Sequence, residues 1–249
     1  MDSKICVVIP TYNEAENLSE IVTKILSLEL PFLRLIIVDD SSPDGTGDIA
    51  DSIAKAHPGR IRVLHRLMKN GIGPAYVDGF KAALKMKPDI IVQMDADLSH
   101  PPEAIPSMLK GFKTADVVIG SRYIEGGGVD PRWRWTRRML SRCGNVYARK
   151  IAGVLVRDAS SGFKAFRRQV IESLSLESIK CKGFGFQAEV TMACQMLGHN
   201  VVEHPIHFID RRKGASKISW GIVWEALWLL PFIRIRSLTT PKKGSLLKP

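Results

Sequence analysis

The chain has 249 residues, 45% of them hydrophobic and 24% charged, and a formal net charge of +11. That balance excludes a disordered chain and gives enough length for one large α/β domain with a sizeable core. The charge is uneven, because residues 131–157 hold eight Arg or Lys and no acid while residues 211–249 hold nine against Glu225 alone, so two basic patches on a more acidic body suggest an anionic partner such as nucleotide, lipid phosphate, membrane surface or nucleic acid.

Lys4 to Pro10 reads as a buried strand, and Ala15 to Leu28 follows as a helix with Leu18, Ile21, Val22, Ile25 and Leu26 at helical spacing. Between them lies Thr11-Tyr12-Asn13-Glu14, where α/β sheets place ligand loops, although Asn13 also serves as a plain helix cap. Arg34 to Val38 is a second strand running into Asp39-Asp40-Ser41-Ser42-Pro43-Asp44-Gly45-Thr46. This loop is too acidic to cradle phosphates and has no P-loop pattern, so a carboxylate there would accept hydrogen bonds from a base or ribose, while Pro43, Asp44 and Gly45 fit simple turn chemistry.

Helix 46–56, strand 61–65 and helix 73–86 continue the alternation. Asp89-Ile90-Ile91-Val92 is the next strand, and it ends in Asp95-Ala96-Asp97-Leu98-Ser99-His100-Pro101-Pro102. Carboxylates two residues apart at a strand end can face the same way, and two like charges held that close need a cation. An oxygen-only pair suits a hard ion such as Mg²⁺ or Mn²⁺, which keeps its other positions for water and substrate phosphate. The same aspartates also fit a cap for the helix opened by Pro101-Pro102-Glu103, so at this point both readings stand. A helix over 103–112 and a strand over 115–120 complete a doubly wound, mostly parallel sheet.

Beyond Gly120 the pattern changes. Ser121-Arg122-Tyr123 is followed by a glycine-rich stretch at 125–130 long enough for a lid, then by a helix over 133–155. That helix spaces Trp135, Met139, Cys143, Tyr147 and Ile151 four apart, and Arg134, Arg138 and Arg142 likewise. It is a basic amphipathic helix of a kind that can lie on an anionic membrane, or else an ordinary core-facing helix with a solvated arginine face. A turn at 158–168, a helix from about 183 to 197, and a strand over 201–209 lead to the basic loop Asp210-Arg211-Arg212-Lys213-Gly214-Ala215-Ser216-Lys217. The longest apolar run, Trp220 to Ile233, contains Glu225 and Pro231 and falls short of the ~20 residues that cross a bilayer. Four cysteines without a C-x-x-C pair, and no secretory signal, point to reduced thiols in a cytoplasmic protein.

Six loops stand in one order: Pro10 to Glu14, Asp39 to Thr46, Asp95 to Pro101, Gly120 to Tyr123, Ser161-Gly162-Phe163-Lys164, and Asp210-Arg211 through Ser216-Lys217. In that order they resemble the inverting, family 2 nucleotide-sugar glycosyltransferases, and within them the dolichol-phosphate (polyprenol-phosphate) mannose synthases, over residues 4–217. The resemblance implies a GT-A sheet of the nucleotide-diphospho-sugar transferase type, with a catalytic domain over 1–217. A C-terminal apolar helix and basic tail over 218–249 would then touch the membrane peripherally. It implies transfer of mannose from GDP-mannose to a dolichyl or polyprenyl monophosphate with inversion, at the cytoplasmic face of a membrane, with Mg²⁺ or Mn²⁺ and no nucleic acid.

By the same resemblance Pro10, Tyr12, Glu14, Val38 and Asp40 serve the base and ribose, and Asp95 and Asp97 bind metal and diphosphate with Ala96 contributing backbone. Arg122, Lys164, Arg211 and Lys217 contact the phosphates and sugar, and Asp97, Arg122, Arg211 and Lys217 form the catalytic set. Some members carry a glutamine metal ligand where this chain has Ser99. The chemistry agrees: a leaving diphosphate needs neutralising charge, and a lipid monophosphate is already an anion at pH 7 and needs no strong general base. Arg122, Arg137, Arg138 and Arg142 are candidates for the acceptor phosphate. All five tryptophans, Trp133, Trp135, Trp220, Trp224 and Trp228, fall in or beside the two late helices, which suits a headgroup boundary. The alternatives are transfer from UDP-glucose, a non-lipid acceptor, or a non-catalytic basic binding module, the last disfavoured by acidic loops that would repel a polyanion.

Overall fold

The computed structural model describes residues 3–183, 185–210, 227–232 and 234–235. Its strands are β1 (Ile5–Thr11), β2 (Leu33–Asp39), β3 (Ile61–His65), β4 (Ile90–Gln93), β5 (Val117–Ser121), β6 (Gly128–Val129), β7 (Lys164–Arg167), β8 (Val201–Pro205) and β9 (His207–Phe208). Seven of them make one sheet in the order β3-β2-β1-β4-β7-β5-β8, and β6 pairs with β9 beside it. Within the large sheet β7 alone runs antiparallel, to both β4 and β5. The expectation of a doubly wound, mostly parallel sheet therefore holds.

Strand alternation builds the core. Val7, Ile9, Leu35, Ile37 and Val92 face one apolar cluster, while Val8, Ile36, Val38 and Ile91 face the other. Because both faces are covered, these strands read as continuous apolar runs. Helices α1 (Ala15–Leu26), α2 (Thr46–Ala56) and α4 (Ile105–Leu109) lie on the first face; α3 (Ile72–Lys85), α6 (Arg168–Ser173) and α7 (Gly185–Met196) lie on the second. Helix α3 sits so close to β1 that a Cβ at Gly79 would stand 2.3 Å from Val8 Cγ1.

Three expected elements are shorter than the periodicity suggested. The helix over 103–112 is only α4, flanked by 3₁₀ turns at Pro102–Ala104 and Lys110–Lys113; Pro106, with no N–H to give an earlier carbonyl, stands in the first turn of α4, where a helix tolerates proline. The helix over 133–155 is α5 (Trp135–Ile151), which stops before Gly153 at φ +69°. The strand over 201–209 breaks at Ile206 and changes sheets, β9 leaving β8 to pair with β6. No described helix is long and apolar enough to cross a membrane.

Candidate active site

Connections from β1 run outward to β2 and β3, then return across β1 to β4. The carboxyl ends of β1 and β4 therefore flank the point where the winding reverses, which is where open α/β sheets leave a crevice for ligands. The Pro10–Glu14 loop and the Asp95–Asp97 loop lie at these two ends, as the sequence suggested.

Asp95 is held from below and from the side. The Tyr76 hydroxyl donates to its Oδ1 at 2.8 Å, and its backbone N–H donates to His100 Nδ1 at 3.2 Å. His100 is buried between Phe163 and Phe208, with ring centroids at 5.4 and 5.5 Å. Burial lowers its pKa below 6.5, against the pull of Asp95 and Asp97. Tyr76 is also buried; burial first and the Asp95 charge second raise its pKa well above 10, so the hydroxyl keeps its proton and stays a donor. Asp97 accepts from the backbone N–H of Ser99 at 3.1 Å and from its hydroxyl at 2.5 Å. Ser99 thus orients Asp97, and Leu98 adopts φ +61° to let the turn close.

The donor set fits a hard divalent ion. Asp95 and Asp97 offer only oxygens, and among the described residues no group of three or more His, Cys, Asp or Glu gathers into a protein cage. Such a pair matches an ion that completes its shell with water and phosphate. Space is kept for it, because a Cβ on Gly162 would stand 3.1 Å from Asp95 Oδ2 and 3.1 Å from the His100 ring.

On the β2 side, Asp40 is buried and ion-paired with Arg66, whose Nε also donates to Asp78 at 2.8 Å. Burial raises the Asp40 pKa above 3.8 although Arg66 opposes it. Lys69 stands 3.8 Å above the Tyr12 ring. Val38 is fully buried in β2 opposite Pro10, and Glu14 is buried, accepting from Asn17 at 2.8 Å. Ala96 is buried behind the two aspartates. Sequence reasoning missed Arg66; its signal was its position one residue past a β-strand's carboxyl end.

Two expected phosphate contacts are placed differently. Arg122 makes a two-pronged pair with buried Asp158, Nε and Nη2 each at 2.7 Å, and Nη2 also reaches Ser160 at 2.7 Å. Burial alone would raise the Asp158 pKa, but Arg122 outweighs it and holds the group below 3.8. Lys164 begins β7 and is fully buried beneath the rim, its amine donating to the Gln187 carbonyl at 2.7 Å and Oε1 at 2.9 Å. Among the described residues no carboxylate is in hydrogen-bond contact with it, and burial lowers its pKa from 10.5 to about 7.

The root of the basic loop is anchored. Asp210 donates its N–H to Asp130 at 3.0 Å and accepts from Arg137 at 2.7 Å, and the Ile209 N–H donates to the Ser99 carbonyl at 3.2 Å. Arg211 and Lys217, like the 218 boundary, Trp220, Trp224 and Arg236, lie outside the described residues. Of the arginines considered for the acceptor phosphate, Arg137 pairs with Asp210, and Arg138 donates to the carbonyls of Asp130 and Pro131.

Helix α5 turns a narrow strip with Asn145 and Ala148 inward, while Arg142, Arg149 and Lys150 stay exposed. Asn145 exchanges hydrogen bonds with Ser160 at 3.1 Å, and Ser141 accepts from Tyr123 at 2.7 Å. Trp135 (69% exposed), Met139, Leu140, Val146 and Ile151 point outward, as does Trp228 (73%) in the helical residues 227–232. The two segments meet where the Tyr147 hydroxyl donates to the Leu227 carbonyl at 2.6 Å. Trp133 departs from the expected lipid-facing role: it is buried, edge-on to Phe208 at 5.4 Å and beneath Arg137.

Comparison with known proteins agrees with this geometry. The chain is 42% identical over 224 residues to an undecaprenyl-phosphate mannosyltransferase of Micrococcus luteus, covering 90% of this chain and 91% of that one. It is 43% identical over 239 residues to a polyprenol monophosphomannose synthase of Mycolicibacterium smegmatis, covering 96% and 89%. Its fold matches a Pyrobaculum calidifontis mannosyltransferase solved with GDP-Man and Mn²⁺, at TM-score 0.58 and 17% identity over 95% of this chain and 74% of that one. Residues 6–175 match the model of glycosyl transferase family 2, and with a stretch of that length and relatives at that identity, the chain belongs to this family.

Proposed function

We propose that the chain transfers mannose from GDP-mannose to a polyprenyl or dolichyl monophosphate with inversion, releasing GDP. The observation that carries the reading is the Asp95/Asp97 loop at the winding reversal of a chain 42–43% identical to two mannosyltransferases named for polyprenol acceptors. In this reading Tyr12, Pro10, Glu14, Val38 and Asp40 line the nucleoside, and Arg66 fixes the Asp40 carboxylate. Asp95 and Asp97 would hold Mg²⁺ or Mn²⁺, which when bound offsets the charge of the donor diphosphate. The fold neighbour solved with GDP-Man and Mn²⁺ supports that assignment.

The acceptor phosphate oxygen attacks the anomeric carbon from the side opposite the diphosphate, the glycosidic bond to GDP breaks, and the electron pair leaves with the β-phosphate. The attacking oxygen is already anionic, so no base need remove a proton. His100 suits this: its Nδ1 accepts the Asp95 N–H, its ring is buried, and it is not placed as a base. Arg211 and Lys217 are assigned to the departing diphosphate, on a loop whose root is fixed by Arg137 and Asp130. Arg122, committed to Asp158, shapes the β5 end and supplies field, and Lys164 supports the rim from beneath. Acceptor delivery is assigned to the outward apolar face of α5, bound peripherally at the cytoplasmic face of a membrane, with exposed Arg134, Arg142 and Arg149 attracting anionic lipid.

The test is incubation of the purified protein with radiolabelled GDP-mannose or UDP-glucose and a short polyprenyl phosphate, followed by organic extraction. Label from GDP-mannose is expected in the lipid phase, only with divalent metal. Label from UDP-glucose alone, or none, would overturn the reading.

A further inference from the structure

We propose that Tyr76, on α3 and behind the rim, is the positioning residue that fixes the Asp95 carboxylate for ligand binding. The inference rests on the reading of Asp95 as a ligand of the donor's metal and diphosphate.

A carboxylate on a short side chain is a two-fold rotor, and at a ligand site its orientation must be set by something else. Two constraints meet on Asp95. Its backbone is tied through the N–H to His100, whose ring is held by Phe163 and Phe208. On the side of Gly162 nothing holds the carboxylate: a Cβ there would stand 3.1 and 3.3 Å from its two oxygens, and its absence leaves room for the group to turn. The hydroxyl of Tyr76 then selects the rotor's angle by donating to Oδ1 at 2.8 Å.

Tyr76 is built for that task more than for packing. It has no exposed surface, and its ring lies parallel to Phe186, 2° between planes at 5.6 Å, with Phe80 stacked beyond it at 6.0 Å. Flanked in this way, the ring cannot swing, so the hydroxyl is delivered to one point. Phenylalanine would fill the same volume, and burying a hydroxyl costs free energy unless it is hydrogen-bonded. The Asp95 side chain remains about 30% exposed, so the oxygen surface not used by Tyr76 is left for a ligand. Removing a group that orients a metal ligand typically weakens metal affinity 10- to 100-fold.

The experiment compares full-length protein with Tyr76→Phe, Asp95→Asn and, as a packing control, Ile25→Ala, a fully buried residue of the apolar cluster on the other face of the sheet. Free and bound Mn²⁺ are measured by electron paramagnetic resonance in the presence of GDP, and each melting temperature is recorded. Tyr76→Phe is expected to melt close to the parent and bind Mn²⁺ about tenfold more weakly, Asp95→Asn to lose binding, and Ile25→Ala to melt lower with unchanged affinity. Turnover of Tyr76→Phe should recover substantially at raised Mn²⁺, which a general loss of structure would not allow. Unchanged Mn²⁺ affinity in Tyr76→Phe, with Asp95→Asn inactive in binding, would overturn the inference and leave the site reading intact. Weakening in Ile25→Ala equal to that in Tyr76→Phe would make the effect one of packing and also overturn it. Full Mn²⁺ binding by Asp95→Asn would remove the site reading, and the inference with it.

Discussion

Changing one carboxylate oxygen of Asp97 to an amide nitrogen should separate chemistry from folding. Asp97 takes both Ser99 donors on Oδ1, which Asn retains, so Asp97→Asn is expected to melt near the parent temperature while transfer and metal-dependent GDP binding fall by several kcal/mol. Near-parental transfer would remove Asp97 from the site. Lys164 gives a pH prediction. Its amine is lowered to about 7 in the folded protein from 10.5, so between those values the unfolded chain binds the extra proton and stability rises with pH. Relative to Lys164→Met, the protein should therefore gain stability from pH 7 to 8.5, by at most about 1.4 kcal/mol per pH unit, as read by urea unfolding. Parallel curves would mean that the amine does not release its proton on folding. At this scale the sequence showed Asp95 and Asp97 because carboxylates closing an apolar strand have few structural uses. It could not show Tyr76, Arg66 or Asp158, whose meaning lies in partners 19, 26 and 36 residues away.

Helices α1, α2 and α3 were legible because their apolar spacing matches a single buried face. Helix α5 has equally clear spacing, but periodicity states only that two faces differ. Which face turns inward depends on what waits beneath, and here that is the Asp158–Ser160 network, so the strip that carries Asn145 is inside and the one that carries Trp135 and Met139 is outside. Glu substitutions at Trp135 and Met139 together should leave the melting temperature nearly unchanged, both being more than half exposed, while reducing sedimentation with anionic vesicles. Equal sedimentation would shift the contact elsewhere. Helix α3 supplies the opposite case. Gly79→Ala improves helix propensity by roughly 1 kcal/mol in isolation, yet the new methyl would meet Val8 and Val38. Net destabilisation of about 1–3 kcal/mol is expected from forcing α3 off the sheet, measurable by thermal unfolding. A stabilised variant would show that α3 can lift away freely.

Across the whole molecule the net charge of +11 and an outward apolar face combine into one expectation about surfaces. Vesicle binding should need anionic lipid and weaken as salt is raised through about 0.1–0.5 M, because exposed charges are screened beyond roughly 10 Å at 0.1 M. Salt-independent binding would make the apolar contact sufficient alone. The sheet order also has a consequence in time. Six of the seven strands point the same way, but β7 enters from the opposite direction between β4 and β5, and the turn before it brings Gly162 to the rim from 69 residues beyond Gln93. While the chain is being synthesised, β4 and β5 emerge with the gap between them unfilled, and each presents an open edge of the kind that invites mispairing. A nascent chain that has not yet delivered residues 162–167 lacks the wall beside Asp95, so ligand binding becomes a signal that the centre of the sheet has closed.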